Sequence, residues 1–217
     1  MLDKSVEFKS IIMRLDNNQE ESAGENIAEN GLPPGYTFKF FEPDDVKHWS
    51  RIETSVLEFE TEQAAESYFM MSYMPHIRQL EKRCLFALNP DGLPVATATA
   101  WYADSELGHQ ASLHWVAVCP EYQGKGLGKS VTRKALSVFQ SLEPGAPIWL
   151  HTQTWSHVAV RMYHSLGFNV ARTDRLANMN TRSGIIKIYE NPFDEAMRLL
   201  TTVTDAEFVR KLIETAV

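Results

Sequence analysis

One short run restricts this chain more than any other: Gln123-Gly124-Lys125-Gly126-Leu127-Gly128-Lys129-Ser130. Its glycines permit positive φ and let the main chain approach a ligand with no Cβ in the way. Before it comes an apolar, strand-like stretch from Gln110 to Cys119. After it, Leu127, Val131, Ala135, Val138, Phe139 and Leu142 recur on one helix face until Glu143-Pro144-Gly145 stops the pattern. A loop that leads a strand into a helix N-terminus collects free N–H groups and the positive end of the helix dipole. Such a place suits an anion, a pyrophosphate in particular. Lys125, Lys129, Arg133 and Lys134 crowd the same stretch of a chain whose net charge is −7. They agree with a small anionic ligand, although a solvated helix face is the plainer reading of the charges alone.

Around this run, strands and helices interleave. Val6 to Leu15 reads as either an apolar strand or a short helix, and the polar stretch Glu20 to Gly35, with Pro33-Pro34-Gly35, reads as a linker. Tyr36 to Phe41 fits a strand. Pro43-Asp44-Asp45 opens a helix bearing Val46, Trp49, Ile52 and Val56, and Thr61 precedes another bearing Ala64, Ala65, Tyr68 and Phe69 as far as Pro75. Cys84 to Leu88 and Pro94 to Tyr102 flank Asn89-Pro90-Asp91-Gly92, a turn signal that predicts a hairpin. Ile148 to Thr152 is a further strand. Ser156 stands where it can cap a helix carrying Ala159, Met162, Tyr163 and Leu166, which Gly167 ends. Phe168 to Arg172 and Ile185 to Tyr189 read as strands, and a helical tail follows Pro192. The class is α/β or α+β with a mixed sheet.

Three phosphate-binding patterns compete for the glycine run. A Walker A loop needs glycine where Gln123 stands, and the dinucleotide fingerprint needs it where Lys129 stands. The pattern Q/R-x-x-G-x-G/A fits on Gln123, Gly126 and Gly128. With the preceding Trp115-Val116-Ala117-Val118-Cys119-Pro120-Glu121-Tyr122, the run resembles the fourth strand and acyl-CoA loop of the GNAT N-acetyltransferases. Downstream, Ser156, Ala159, Val160, Tyr163, Gly167 and Phe168 resemble that family's N-x-x-A-I-x-x-Y-x-x-x-G-F segment, with serine in place of the usual asparagine. The likeness covers roughly residues 36 to 173, and its specific part runs from Leu113 to Phe168.

The resemblance implies a mixed, mostly antiparallel sheet with a splayed strand pair and flanking helices. It implies acetyl-CoA as cosubstrate, its pantetheine arm along the main chain of Val116, Ala117 and Val118 and its pyrophosphate on the N–H groups from Gly124 to Ser130, with Ser156 nearby. Tyr163 takes the role of the acid that protonates the departing thiolate, a transfer from a phenol of pKa ~10 to a thiolate of pKa ~8.5. Core packing is its other reading. His114 stands where arylalkylamine-type acetyltransferases have a histidine that helps remove the amine's proton; the other reading is a half-buried histidine bonded within the sheet. By strand alternation His114 and Val116 share a face. Glu53 and Glu58 fall in a region that lines the acceptor site in this fold, but read as solvated helix charges. Trp155 and His157 read as pocket or surface, and Trp49, Tyr68, Phe69 and Trp101 as core.

The expected organisation is an N-terminal extension and linker over 1–35, the acetyltransferase domain over 36–190 and a C-terminal helical tail over 191–217. The expected activity is acetyl transfer to a primary amine within a ternary complex, the acceptor being a small amine, an aminoglycoside-like compound or a lysine side chain. A non-catalytic acyl-CoA sensor is the alternative. The acidic balance argues against nucleic acid as a partner. No apolar run approaches the ~20 residues that cross a bilayer, and Met1 to Leu15 lacks the apolar region of a signal peptide. The two cysteines, Cys84 and Cys119, sit in apolar runs and read as free thiols in a reducing cytoplasm. No metal site is expected, and a homodimer is the oligomer to test.

Overall fold

The computed structural model describes residues 2–16, 31–180 and 185–217. Seven strands form one sheet: β1 (Ser10–Leu15), β2 (Thr37–Phe40), β3 (Cys84–Leu88), β4 (Pro94–Ser105), β5 (Gly108–Val118), β6 (Ile148–Gln153) and β7 (Asn169–Val170). Their order is β2-β3-β4-β5-β6-β1-β7, antiparallel throughout except for the parallel pair β5 and β6. Two further strands, β8 (Leu176–Asn180) and β9 (Ile185–Tyr189), form a separate antiparallel ribbon. The helices are α1 (Val46–Ser55), α2 (Glu62–Ser72), α3 (Ile77–Arg83), α4 (Leu127–Leu142), α5 (His157–His164), α6 (Phe193–Leu200) and α7 (Ala206–Glu214). The expected mixed, mostly antiparallel sheet with flanking helices is the fold observed. Among the described residues no helix is long and apolar enough to cross a membrane.

Each face of the sheet carries its own core. Helix α4 buries Leu127, Val131, Ala135, Val138 and Phe139 against Ala96, Ala98 and Ala100 of β4 and Leu113 of β5. The small alanines let the helix lie close to the strand, and each large side chain so buried contributes roughly 1.5–3 kcal/mol. Leu142, the last position of the stripe, is left exposed at the helix end. On the opposite face α1 and α2 bring Trp49, Ile52 and Phe69 against Phe86 and Trp101. The Thr61 hydroxyl caps α2 by accepting from Ala64 N at 3.1 Å. The hairpin turn is held by Asn89, whose Oδ1 accepts from the N–H groups of Asp91 and Leu93 at 3.0 and 2.9 Å.

The boundaries expected at 35/36 and 190/191 do not separate structural layers. Residues 10–15, open to a strand or helix reading, form β1 in the interior of the sheet. It pairs along its whole length with β6, from Ser10 opposite Gln153 to Leu15 opposite Ile148, and with β7 at Met13 and Arg14. Ile11, Ile12 and Met13 are almost wholly buried, Ile11 and Met13 in the α4 core and Ile12 beneath the β8–β9 ribbon. A strand covered on both faces has no alternation to announce it, which is why the sequence left it undecided. The helical tail docks as well: Phe193, Met197 and Leu200 of α6 and Phe208, Val209 and Leu212 of α7 join the α4 core. Most of the linker read over Glu20 to Gly35 lies outside the described residues.

Candidate active site

Strands β5 and β6 are neighbours for only a short distance. Their pairing runs from Ala111 opposite Ile148 to Leu113 opposite Leu150, yet β5 continues to Val118 and β6 to Gln153. Beyond Leu113 the strands part. A bulge accompanies the parting: Trp115 and Val116 together face the single residue Ala98 of β4, between the pairs Thr99–His114 and Thr97–Ala117. Trp115 takes a φ of +52°, uncommon for a bulky residue. Aromatic edges hold it there, with Trp49 at 5.4 Å and Tyr68 at 5.2 Å between ring centroids. The bulge also breaks the alternation by which His114 and Val116 were to share a face. Val116 packs toward the α4 core, whereas the His114 ring meets Tyr73 of the aromatic core, Nδ1 to hydroxyl 2.9 Å.

The opening leads into a cleft of about 390 Å³. One wall is Val116, Ala117 and Val118, the floor is the loop with the first turn of α4, and the far wall is Ser156, Ala159, Met162 and Tyr163. Gly126 is the N-cap of α4 at φ +83°, and Gly124 sits at φ +76°. The first intrahelical bond is Ser130 N to Gly126 O, 3.0 Å, so the N–H groups of Leu127, Gly128 and Lys129 have no partner within the helix. The Gln123 side chain staples loop to strand, Nε2 donating to the Val118 carbonyl at 2.9 Å. At Gly128 a Cβ would come within 3.2 Å of Met162 Sδ, so its absence lets α4 close onto α5.

Of the expected ligand residues, Ser130 and Lys125 lie off the cleft wall and Ser156 lies on it. Ser130 spends its N–H on the helix, is nearly buried, and its hydroxyl donates to the carbonyls of Gly126 and Gly31. Lys125 is outside the cleft wall, its ammonium 5.0 Å from the Tyr122 ring centroid. Ser156 occupies the N-cap position of α5 and faces the cleft, but makes no capping hydrogen bond.

A second cavity, about 320 Å³, lies deeper between the parted strands. Val116, Ser156, Ala159, Tyr163, Glu58 and Leu2 line both, so the two spaces meet at Tyr163. Tyr163 is nearly buried, and no hydrogen bond ties its hydroxyl to the described residues. Burial first, then the carboxyls of Glu53 and Glu58, push the phenol well up. His114 and His151 line the deeper cavity, and burial lowers them to about 3 and about 4. Both imidazoles are therefore neutral at pH 7.

Glu53 corrects the reading of a solvated helix charge. It is 1% exposed, lines the deeper cavity, and its Oε1 has no hydrogen-bond partner among the described residues. Burial, then Glu58, raises its carboxyl well above the ordinary range. The signal was present in the sequence: Glu53 follows Trp49 by four residues and precedes Val56 by three, on the apolar face of α1. Glu58 keeps more of its surface open; desolvation raises it, while Gln153 and Lys4 pull the other way. Sequence reasoning also missed Ser112, His151 and Tyr189, and the segment before β1, whose Leu2, Lys4 and Phe8 reach the same cavity.

A strand pair that opens over a glycine loop at a helix N-terminus is the arrangement expected from the Gln123–Gly128 pattern, and comparison with known proteins agrees with it. The acetyltransferase (GNAT) family profile matches residues 45–168. The chain belongs to the GNAT acetyltransferase family. Among curated relatives, a mycothiol acetyltransferase of Rothia mucilaginosa is 25% identical over 186 residues, covering 76% of this chain and 50% of that protein. The ribosomal protein bS18 alanine N-acetyltransferase of Escherichia coli is 29% identical over 128 residues, covering 58% of this chain and 83% of that protein. This GNAT chain thus spans about half the length of the mycothiol acetyltransferases it matches. A solved GCN5-related N-acetyltransferase from Sphaerobacter thermophilus shares the fold, with a TM-score of 0.55 at 18% identity over 76% of this chain and 49% of that one.

Proposed function

We propose that this GNAT protein transfers an acetyl group from acetyl-CoA to a primary amine. The observation that carries the reading is the parting of β5 from β6 directly above the glycine loop. Main-chain groups of Val116 to Val118 line the gap, the Val118 carbonyl already accepting from Gln123. Those that face away from β4 can pair with a pantetheine arm as a neighbouring strand would. Gly124 and Gly126 leave open space at the loop, since nothing lies within 4 Å of a Cβ built on either. The N–H groups of Leu127, Gly128 and Lys129 are the donors for a pyrophosphate. When bound, the cosubstrate supplies a thioester carbonyl open to attack by nitrogen.

The chain's own residues do the rest. Tyr163, where cleft and cavity meet, donates a proton to the sulfur that departs. Its raised phenol stays protonated at neutral pH, as a donor must. The incoming amine has to lose a proton, and among the cavity's groups Glu53 and Glu58 bind one most readily. His114, lowered to about 3 and engaged by Tyr73, is a weak receiver, so the geometry favours its role as a bonded member of the sheet. The buried free thiols Cys84 and Cys119 fit a reducing, cytoplasmic setting. A thiol-release assay with acetyl-CoA and a panel of amines tests the reading. Release that depends on an amine is expected; tight acetyl-CoA binding without release from any amine would make the protein a sensor instead.

A further inference from the structure

The deeper cavity holds two buried polar atoms with no partner among the described residues, Glu53 Oε1 and Ser112 Oγ. Both residues are 1% exposed. Unpaired polar atoms at that depth cost stability unless something else meets them. Around them the cavity mixes apolar and aromatic side chains, among them Trp115, Trp155 and Tyr189, with the polar Lys4, Glu58, His114 and His151.

The charges around them can be counted. Glu58 is answered by Lys4 and Gln153. The two cavity histidines are neutral and add no positive charge. Glu53 is left as the carboxyl with no countercharge. Burial by itself favours its neutral form, and an ammonium beside it would favour the carboxylate. A ligand that brings one positive charge therefore completes the site, whereas a second would meet Lys4.

The mouth is crossed by the chain itself. Asp3 N donates to the Trp155 carbonyl at 2.9 Å, and Trp155 Nε1 to the Val6 carbonyl at 2.7 Å. Thr154 Oγ1 donates to the Glu7 carbonyl and accepts from Lys9 N, at 2.6 and 3.0 Å. On the other side Lys4 Nζ reaches the Leu57 carbonyl beyond α1, at 3.4 Å. This strap joins the start of α5 to the end of α1 across the cavity, and its Leu2 borders the cleft as well. The volume of about 320 Å³ is near the lower bound for small-molecule pockets, which run from roughly 300 to 1,000 Å³.

We propose that this cavity is a binding site for a small monoamine, its ammonium between Glu53 and Ser112 and its apolar body against Trp115, Trp155 and Tyr189, closed to protein tails by the strap at residues 2–9. The proposal names the acceptor of the transferase reading and rests on that reading for its chemistry, but the site can be tested by binding alone.

Trp115 and Trp155 line the cavity and report on occupancy. Tryptophan fluorescence of the full chain is titrated with hexylamine, 2-phenylethylamine, spermidine and a short peptide with a free N-terminal alanine, and calorimetry with acetyl-CoA is run on the same samples. The two monoamines are expected to bind saturably and more tightly than spermidine or the peptide. Glu53→Gln, which keeps the shape and removes the charge, is expected to weaken monoamine binding by about ten- to a hundredfold with acetyl-CoA affinity unchanged. Ser112→Ala is expected to weaken it less and supplies a second variant. Equal monoamine binding by Glu53→Gln and wild type, or preference for the peptide or spermidine, overturns the proposal. Monoamine binding without acetyl-CoA binding leaves this site standing and removes the transferase reading; acetyl-CoA binding with no monoamine binding does the reverse.

Discussion

The hydroxyl oxygen of Tyr73 and Nδ1 of His114 lie 2.9 Å apart, joining the helical layer to the strand that forms one wall of the cleft. Tyr73 is almost wholly buried, and the pair fixes the ring at the point where β5 bulges. Burial, and then His151, keep this imidazole neutral, and the cost is felt when the pH falls.

His114 and His151, lowered to about 3 and about 4, ionise near 6.5 once the chain unfolds. Between those limits the unfolded state binds more protons than the folded one, so stability rises with pH and is lost as pH drops below about 6.5. By pH 5 each histidine is expected to cost about 1–2 kcal/mol. Thermal melts at pH 7 and pH 5 check this, and the difference between them should shrink in His114→Gln. An equal difference in variant and wild type would place the proton uptake elsewhere.

Gly126→Val is expected to weaken acetyl-CoA binding strongly. A valine at φ +83° strains the backbone by roughly 1–2 kcal/mol, although nothing stands within 4 Å of its Cβ. The protein should therefore stay folded while its loop loses the open approach to a pyrophosphate. Calorimetry on the folded variant is the measurement; an unchanged Kd counts against this loop as the anion site.

Tyr163→Phe keeps the ring's edge contact with Phe168, centroids 6.0 Å apart, and removes only the hydroxyl. Turnover with a good acceptor is expected to fall by about 10²–10⁴-fold, with acetyl-CoA affinity nearly intact. Full turnover in the variant would leave Tyr163 a packing residue.

Arg83 and Glu143 form a largely buried ion pair at 2.7 Å, below the end of α4. Arg83 also donates to the Ala100 carbonyl at 3.1 Å and lies 4.8 Å from the Tyr102 ring centroid. Removing one partner strands the other, so Glu143→Ala should cost about 3–5 kcal/mol. Urea unfolding with a lowered midpoint and unchanged slope is the expected result.

The parts legible in the sequence are those with a local cause. The α4 stripe, the Asn89 turn and the Thr61 cap each follow from residues a few positions apart, and so does the glycine loop. The site's depth was not legible, because it depends on meetings across the chain. Glu53 looks like any charged helix residue until β5, α5 and the strap close around it. The His114 and Val116 alternation failed for a related reason. A bulge at Trp115 is set by rings from α1 and α2, and no spacing within β5 records it.

Strand β1 has a consequence for how the chain is made. Its partners β6 and β7 come far later in the sequence, with β2 to β5 and four helices between. On the ribosome, the apolar run Ile11-Ile12-Met13 emerges long before the strands that will cover its edges, and half of the sheet stays unzipped until Ile148–Gln153 appears. Pairings of such long sequence separation slow folding and lengthen the life of exposed edges. The strap across the deeper cavity hangs from this strand, so the proposed acceptor site would be among the last features of the molecule to exist.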